Sequence, residues 1–407
     1  MRILIQGLNY APELVGIGKY TGEMVDFLIE NGHEVIIVTT PPYYPMWKIA
    51  DGYHATRYTK ENHGLLTVIR CPLWVPSQVT GMRRIIHLLS YALSAFPVIV
   101  KEAFHKPDVI ISIAPAFTSA PNAILAGWIS RAKTWLHVQD FELDAALNLG
   151  MVGSGKAVAR LAAAIERFIF RHFDRVSSIS HAMVEKLDEK GVEKNRQVFF
   201  PNWIDTTKIY PMDHSPMRQT LGYGDDDIVI LYSGSMGAKQ GLEVLVESAR
   251  ELNHQSKFRF LLCGEGSAKQ DLLVAAEGLD SIRFLPLQPY EKFNELLNCT
   301  DILVLPQRKD ASDLMMPSKL LGMMASGKAI IAGCVLGSEL HQVVEQVGLV
   351  VEPENVDALT AAIIRLAADP ALRQTKGRKA RQLVCENYGK EQVLARFETL
   401  LKELIYH

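Results

Sequence analysis

The chain has 407 residues, which is too long for one small hydrophobic core and fits two α/β domains of about 200 residues each. Hydrophobic residues make up 48% of it and charged residues 22%, which excludes a disordered or fibrous chain. The formal net charge of −2 argues against a protein that binds nucleic acid, so we expect no nucleic-acid partner.

Short apolar runs alternate with stretches of helical period along most of the chain, which is typical of parallel strands covered by helices. A first helix is predicted from Lys19 to Asn31, before Gly32 as a C-cap residue. In the first half, the runs predict seven strands: Arg2–Gln6, Glu34–Val38, Leu66–Arg70, Val109–Ile113, Trp135–Val138, Val176–Ser178 and Val198–Phe200.

A second series of strands begins after the polar stretch 205–227. Its six members are Ile228–Tyr232, Phe258–Cys263, Ile282–Leu285, Ile302–Leu305, Ala329–Ile331 and Leu349–Val351. Two doubly wound sheets in series predict two Rossmann-like domains facing a central cleft, with ligands beyond the carboxyl ends of the strands.

The cysteines and the apolar stretches bear on the compartment. Five scattered cysteines form neither a Cys-x-x-Cys pair nor a cluster with histidines, so neither a disulfide framework nor a zinc site is indicated. The N-terminus is typical of a first strand rather than of a signal peptide. The longest apolar stretch, Ile85 to Val100, is shorter than the roughly 20 residues that span a bilayer. We therefore expect a cytoplasmic protein without a membrane-spanning segment.

The loop between the first strand and its helix contains Gly16 and Gly18. Glycines let a ligand approach the backbone, and free N–H groups at a helix start attract phosphate. A flexible connection is the alternative. Because the full G-x-G-x-x-G pattern is missing, a dehydrogenase is disfavoured.

A similar loop follows the first strand of the second half and contains Gly234, Gly241 and Lys239. A lysine near a helix N-terminus suits the charge of a leaving diphosphate, and a solvated surface lysine is the alternative. The spacing does not match a phosphate-hydrolysing P-loop.

Two further segments are predicted at the same sheet edge. Gly264-Glu265-Gly266 forms a turn that could pass its backbone along a nucleobase. Pro317 opens a helix, so that Ser318 and Lys319 lie in the first turn, where donors face an anion.

In the first half, the strand Trp135–Val138 leads into a polar cluster. His137 lies within the strand and fits either a core histidine or a ligand. Asp140 and Asp144 lie at the strand's exit, where a carboxylate can act as a base or bind sugar hydroxyls, and Asp140 is the better candidate.

Taken in chain order, these loops resemble the retaining GT-B glycosyltransferases of family 4. The Val-Gln-Asp and Pro-Ser-Lys versions are most similar to the colanic acid type of the bacterial exopolysaccharide branch, which is thought to transfer fucose. The motifs that carry the resemblance are Gly16-x-Gly18, the Asp140 segment, Pro201-Asn202-Trp203-Ile204-Asp205, Gly234 to Gly241, Gly264-Glu265-Gly266 and Pro317 to Gly327.

The resemblance implies a GT-B fold with three parts. They are an acceptor-binding domain over 1–204, a donor-binding domain over 205–389, and a C-terminal helix, 390–407, that crosses back to the first domain. The implied reaction moves a sugar from a nucleoside-diphosphate sugar, with GDP-fucose favoured, to a lipid-linked oligosaccharide. The anomeric configuration is retained, and no metal or other cofactor is expected.

The resemblance also implies roles for individual residues. The catalytic residues are Asp140, Lys239 and Lys319, and the acceptor-side residues are His137 and Asp144. The donor-binding residues are Gly16, Gly18, Gly234, Ser235, Gln240, Gly264, Glu265, Gly266, Pro317, Ser318 and Leu320.

The sequence departs from the family at positions that usually contact the donor. Leu314 and Gly322 replace the Glu-x7-Glu pair, and Asp310 and Asp313 are the nearest carboxylates. Ser235 stands where an arginine is common, and Gln240 replaces the lysine of a Lys-Gly pair. Two alternatives to a transferase follow: a sugar-nucleotide epimerase on the same fold and, because the glutamates are missing, a non-catalytic nucleotide-sugar-binding scaffold.

Two stretches, 81–93 and 155–175, interleave arginines with apolar residues. Such helices can lie on an anionic bilayer, and a lipid-linked acceptor would make that contact useful. We therefore expect peripheral attachment to the inner face of the cytoplasmic membrane. The alternative is that both helices pack their apolar faces on the domain's own sheet.

Overall fold

The computed structural model describes residues 1–13, 15–114, 117–141, 156–309 and 316–406. The chain divides into two compact units. The first comprises Met1–Pro201 and Leu394–His407, and the second comprises Asn202–Val393. Each unit contains one sheet, as predicted for two Rossmann-like domains.

The first unit contains an eight-stranded sheet. Its strands are β1 (Arg2–Gly7), β2 (Glu34–Thr39), β3 (Thr59–His63), β4 (Leu66–Arg70), β5 (Val109–Ala114), β6 (Lys133–Val138), β7 (Arg175–Ser178) and β8 (Gln197–Phe199). They lie in the order β3-β4-β2-β1-β5-β6-β7-β8. All seven predicted strands are confirmed, and the described pairs are parallel except β3 with β4.

The helices of the first unit are α1 (Gly16–Glu30), α2 (Gly81–Ala103), α3 (Ala120–Ser130), α4 (Lys156–Arg171) and α5 (His181–Glu189). Helix α1 starts three residues before the predicted Lys19 and ends at Glu30, one residue before the predicted end, with Asn31 as its C-cap residue and Gly32 at φ +78°. Among the described residues, α2 is the one helix long and apolar enough to cross a membrane by length and composition, and 39% of its most apolar window is buried within the protein.

The second unit contains a six-stranded sheet in which the described pairs are parallel. Its strands are β9 (Ile228–Ser233), β10 (Phe258–Cys263), β11 (Ile282–Leu285), β12 (Ile302–Leu305), β13 (Ala329–Gly333) and β14 (Leu349–Val351), in the order β11-β10-β9-β12-β13-β14. The six predicted strands are confirmed.

Nine helices follow in the described part of the second half. They are α6 (Pro216–Thr220), α7 (Glu243–Leu252), α8 (Lys269–Ala275), α9 (Tyr290–Asn298), α10 (Ser318–Ala325), α11 (Glu339–Val347), α12 (Val356–Ala368), α13 (Pro370–Asn387) and α14 (Lys390–Tyr406). Helices α7 and α12 contribute Leu245 and Ile363 to the core around β9 and β10. All five cysteines of the chain are free thiols.

The boundary between the units differs from the predicted one by a few residues. Residues 202–204 lie in the second unit, because Ile204 pairs with Gly389 and its N–H donates to the Tyr388 carbonyl at 2.9 Å. The end of α14 belongs to the first unit. There the Phe397 ring stacks on Phe200, with 4.3 Å between centroids, and meets Trp135 edge-on at 5.1 Å.

Candidate active site

Each sheet has a switch point, where the strand order reverses and ligands bind beyond the carboxyl ends of the strands. In the first unit it lies between β1 and β5, and in the second between β9 and β12. The loop after β9 runs from Gly234 to Gln240, and the start of α10 brings Lys319 to it. The structure thus brings together Gly234, Gln240 and Lys319, which were predicted as site residues from two separate motifs.

Lys319 is the cation at the centre of these loops. Its Nζ donates hydrogen bonds to the Tyr232 hydroxyl, 2.7 Å away, and to Gln240 Oε1, 3.2 Å away. Burial lowers the pKa of Lys319 from 10.5 to about 8, and no acidic side chain of the described residues counteracts that shift. A side chain at Gly234 would collide with the lysine's Cε. Within the described part of the chain, the site therefore offers an anionic ligand a positive charge that no carboxylate neutralises.

The glycines of the Gly-Glu-Gly turn have a structural explanation. Met236 N–H donates to the Glu265 carbonyl at 2.8 Å, and Ala268 N–H donates to the Met236 carbonyl at 2.9 Å. A Cβ on Gly264 would overlap the Gly234 carbonyl, and one on Gly266 would overlap that of Met236. The two glycines thus permit the turn to pack against the loop after β9, which fixes Gly234 beside Lys319.

The remaining predicted residues of this site differ in accessibility. Lys239 is exposed in the short turn Ala238–Gln240, and its carbonyl accepts from Arg308 N–H at 3.3 Å. The side chain of Glu265 is exposed and pairs with Lys269 at 2.7 Å. Ser235 is also exposed, and its carbonyl accepts from the Tyr232 hydroxyl.

Helix α10 presents its first turn but not its later residues. Pro317 caps the helix, and Ser318 is exposed as its first residue. Leu320 is completely buried in the core, which corrects its assignment as a donor-binding side chain. Gly322, where the family has a glutamate, is buried, and a Cβ there would lie 3.1 Å from Phe293 Cε1. Asp310, Asp313 and Leu314 lie outside the described residues.

In the first unit, Glu13 ties the loop after β1 to the loop after β2. Its carboxylate accepts from Asn9 Nδ2 at 2.8 Å and from the N–H groups of Tyr43 and Tyr44 at 3.0 Å each. Burial raises the pKa of Glu13 against the opposing effect of these hydrogen bonds. A Cβ on Gly18 would lie 2.6 Å from Glu13 Cβ, so the glycine makes room for the Glu13 side chain, and its role in donor binding stays a prediction.

A cavity of about 210 Å³ lies beyond the carboxyl ends of β1, β2 and β6. It is lined by Asp140 and Gly16, two residues that were predicted as site residues. Gly16 is exposed, and its φ is +60°. The sequence reasoning missed the rest of the lining, which includes Asn9, Tyr43, Trp47, Arg84 and His87. A signal was present, because aromatic residues follow the end of β2, and Arg84 and His87 are one helical turn apart.

His137 is a core residue, which corrects its acceptor-side assignment. It is 5% exposed, its Nδ1 lies 2.9 Å from Ser177 Oγ, and its ring packs against Phe200. Burial lowers the pKa of His137 to about 3, so the ring is neutral. Asp144 lies outside the described residues. Among the residues that the structure does describe, no group of three or more His, Cys, Asp or Glu side chains could hold a metal ion.

Comparisons with known proteins agree with this architecture. Residues 15–203 match the glycosyl transferase 4-like domain, and residues 227–369 match the glycosyl transferases group 1. The chain is 40% identical, over 98% of both chains, to the colanic acid biosynthesis glycosyl transferase WcaI of Escherichia coli K12. The chain belongs to this glycosyltransferase family. The glycosyltransferase is of the colanic acid and exopolysaccharide type.

Solved structures show the same GT-B fold. Sucrose-phosphate synthase from Thermosynechococcus elongatus is 18% identical, with a TM-score of 0.74 over 100% of this chain and 99% of that one. Alr3699/HepE of Anabaena, solved with UDP and glucose, is 14% identical, with a TM-score of 0.66 over 99% of this chain and 100% of that one. The predicted fold class is confirmed.

Proposed function

We propose that this glycosyltransferase moves a sugar from a nucleoside-diphosphate sugar, held by the second unit, to a lipid-linked oligosaccharide, held by the first. Transfer retains the anomeric configuration and uses no metal ion or other cofactor. The resemblance to the colanic acid branch favours GDP-fucose as the donor, and a relative of the same fold, HepE, was solved with UDP and glucose. The observation that carries the proposal is the buried ammonium group of Lys319 beside Gly234 and Gln240.

The chemistry needs positive charge at the diphosphate. When the glycosidic bond breaks, its electron pair stays on the diphosphate oxygen, and Lys319 and the N–H groups at the start of α10 stabilise that charge. Lys239 adds a second, mobile cation from its exposed turn. On the first unit, the Asp140 carboxylate takes the proton that the acceptor hydroxyl loses.

Removing either lysine tests this assignment. We expect Lys319→Ala and Lys239→Ala each to lower kcat by about 100-fold, the usual loss when one donor to a developing negative charge is removed. Lys379→Ala, at an exposed position on α13, is the control and should retain the wild-type rate. Rates are compared after thermal unfolding shows that each variant is folded, and unchanged rates in both lysine variants would overturn the assignment.

The reaction class is tested by ligand screening followed by product analysis. A ligand that binds only the folded protein raises its unfolding temperature, so GDP-, UDP- and dTDP-sugars are compared in thermal unfolding. The stabilising sugar is then incubated with a lipid-linked oligosaccharide extract. A new glycoside on the acceptor supports a transferase. An isomerised free sugar would mean an epimerase, and binding without any product would mean a scaffold.

We further propose that the first unit contacts the inner face of the cytoplasmic membrane. Helix α2 buries one face and exposes an apolar stripe with spacings of four and three residues: Met82, Ile86, Leu89, Leu93 and Phe96. Helix α4 exposes Leu161, Ile165 and Phe168 between the exposed arginines Arg160, Arg167 and Arg171. Exposed apolar stripes beside basic residues favour binding to an anionic bilayer surface.

A further inference from the structure

A pocket lies at the amino ends of the strands in the first unit, the end of the sheet opposite to the candidate active site. It is lined by residues at the starts of β6 and β7, in the turn before β8 and in the last turn of α14. Its volume of about 660 Å³ is within the roughly 300–1,000 Å³ of small-molecule sites. We call it the α14 pocket, and its polar lining residues are Lys133, Asp174, Arg175, Asn195, Arg196 and Glu403.

The sheet register explains why three basic residues meet in the α14 pocket. Trp135 pairs with Arg175 on the adjacent parallel strand, and Lys133 precedes Trp135 by two residues, so all three side chains lie on one face. Arg196 is one position outside the ladder of β7 and β8, opposite Arg175. Because the Trp135 ring meets Phe397 of α14, this is the face that α14 covers.

The three cations have little counter-charge in the described part of the chain. Neither Lys133 nor Arg175 forms an ion pair there, and the one described hydrogen bond of the Arg175 guanidinium goes to a backbone carbonyl at 3.4 Å. Arg196 Nε lies 3.9 Å from the carboxylate of Glu193, whose side chain is 71% exposed. Like charges on neighbouring strands repel each other, so an anion bound between them would be favoured.

Two carboxylates also line the α14 pocket, but they leave a surplus of positive charge. Asp174 Oδ2 accepts from the Thr134 N–H at 2.8 Å and from the Thr134 hydroxyl at 2.9 Å, which holds it on β6. Glu403 is exposed on α14 and forms no ion pair with a described residue. An anion can therefore contact the cations while Asp174 stays with Thr134.

A phosphate monoester has the chemistry that this lining recognises. An arginine presents a planar fork of N–H donors that fits two phosphate oxygens, and a lysine adds a compact positive charge. Arg175 and Lys133 supply one of each, and the Asn195 amide supplies a neutral donor. The volume leaves room for an organic group attached to the phosphate.

We propose that the α14 pocket binds a phosphate monoester, carried either by a soluble molecule or by a lipid headgroup, with Lys133, Arg175 and Arg196 contacting the phosphate oxygens. The bound ester connects the starts of β6 and β7 with the last turn of α14, and so holds the end of the chain on the first unit. The site is distinct from the diphosphate site at Lys319, which lies in the second unit.

A double variant and a matched control test the cations. Lys133→Gln/Arg175→Gln removes two positive charges from the α14 pocket and keeps both side chains polar. Arg57→Gln/Lys60→Gln removes the same charge from exposed positions at β3, the opposite edge of the same sheet. Lys319→Ala is included because a phosphate ester can also bind at the diphosphate site.

Hydrogen–deuterium exchange of the full chain with glycerol 3-phosphate, at constant ionic strength, locates the bound ester. Binding should slow exchange of the amides of residues 400–406 in the wild type, in Lys319→Ala and in the β3 control. The Kd from calorimetry should rise at least tenfold in Lys133→Gln/Arg175→Gln, since two charge-assisted hydrogen bonds are lost. Equal binding by this variant and the β3 control would overturn the proposal.

A vesicle experiment distinguishes the two sources of the phosphate. The same proteins are floated with phosphatidylcholine vesicles that contain phosphatidic acid. Slower exchange with glycerol 3-phosphate assigns a soluble ester. Without that effect, flotation that falls in Lys133→Gln/Arg175→Gln but not in the β3 control assigns a lipid headgroup. Neither effect in any of the proteins overturns the proposal.

A second variant keeps the test decisive if Lys133→Gln/Arg175→Gln does not fold. Asn195 is exposed at the edge of the α14 pocket, so Asn195→Glu adds a negative charge there without disturbing the core. Repulsion between this carboxylate and the phosphate should raise the Kd or reduce flotation, in whichever experiment the wild type shows binding. Unchanged binding by Asn195→Glu would then overturn the proposal.

Discussion

Burial of Lys319 places a positive charge where a ligand can bind it, but it lowers the stability of the folded protein without that ligand. Its neighbours Tyr232 and Gln240 offer oxygen atoms but no charge, and no acidic side chain of the described ranges offsets the desolvation of the ammonium group. Between pH 8 and 10.5 the folded chain binds fewer protons at Lys319 than the unfolded chain does. Stability from this group therefore rises with pH across that window and is lowest below it.

The lowered pKa of Lys319 predicts a pH dependence of nucleotide binding. A diphosphate prefers the charged lysine, whose population falls above pH 8, so the Kd for GDP or UDP should rise by up to about tenfold between pH 7 and pH 9. Lys319→Arg keeps the charge at every pH and should flatten the profile. Isothermal titration calorimetry across this range measures both proteins. The same slope in wild type and Lys319→Arg would show that another group titrates.

The two buried histidines show what a sequence can and cannot predict about single residues. His137 lies in an apolar strand and His87 in an amphipathic helix, and neither pattern reveals the second partner of its ring. Ser177 packs beside His137, on the adjacent strand, and satisfies its Nδ1. Nothing described reaches Nε2 of His87. The difference lies in contacts across the fold, which local spacing does not encode.

At the scale of elements, the buried strands were predictable because both faces of each sheet are covered, so that strands such as β1 and β5 are almost wholly apolar. Strand β3 (Thr59–His63) was missed for the opposite reason. It is a polar edge strand, paired on one side with β4 in antiparallel orientation. Its five residues are all polar, so the alternation of apolar and polar residues that indicates a strand is missing.

The loops of the two units were predictable to different degrees. The loop at Gly234 and the turn at Gly264 follow neighbouring strands, so the alternation of strands and helices was enough to place them together. The cavity of the first unit draws Trp47 from the loop after β2 and His87 from α2. Because α2 follows a polar edge hairpin that the pattern did not show, its register over the sheet could not be inferred.

Helix α14 predicts a large effect of one core substitution. Phe397 is 1% exposed between Phe200 and Trp135, so Phe397→Ala should lower the free energy of unfolding of the first unit by about 3–5 kcal/mol. Thr399→Ala, on the exposed face of the same helix, should change it by less than about 0.5 kcal/mol. Urea unfolding followed by tryptophan fluorescence compares the two. An equal effect of both would show that α14 is not part of that core.

At the scale of the whole molecule, the net charge of −2 is an average over a surface on which basic and apolar side chains are concentrated on particular helices. Exposed arginines and apolar side chains share helix α4, and an apolar stripe runs along α2. A solvated helix gains nothing from such a stripe, whereas a bilayer surface would bury it.

Membrane contact predicts flotation with vesicles. The wild type should float with phosphatidylglycerol-containing vesicles and less with pure phosphatidylcholine, since the arginines need anionic lipid. A Leu93→Glu/Phe96→Glu variant places charges in the stripe of α2 and should remain in the soluble fraction. Leu336→Glu alters a residue of the second unit that is 82% exposed and should float like the wild type. A wild type that never floats would refute membrane contact.

The path of the chain through its two units has a consequence for its synthesis. The first unit is built from the beginning of the chain, but Leu394, Phe397 and Leu401, all buried, reach it from the end. Because the ribosome releases the N-terminus first, most of this unit emerges long before the residues that complete its core. Trp135 and Phe200 therefore lack their partner Phe397 until the whole second unit, Asn202–Val393, has been translated. The first unit can therefore complete its core only after the second unit has been synthesised.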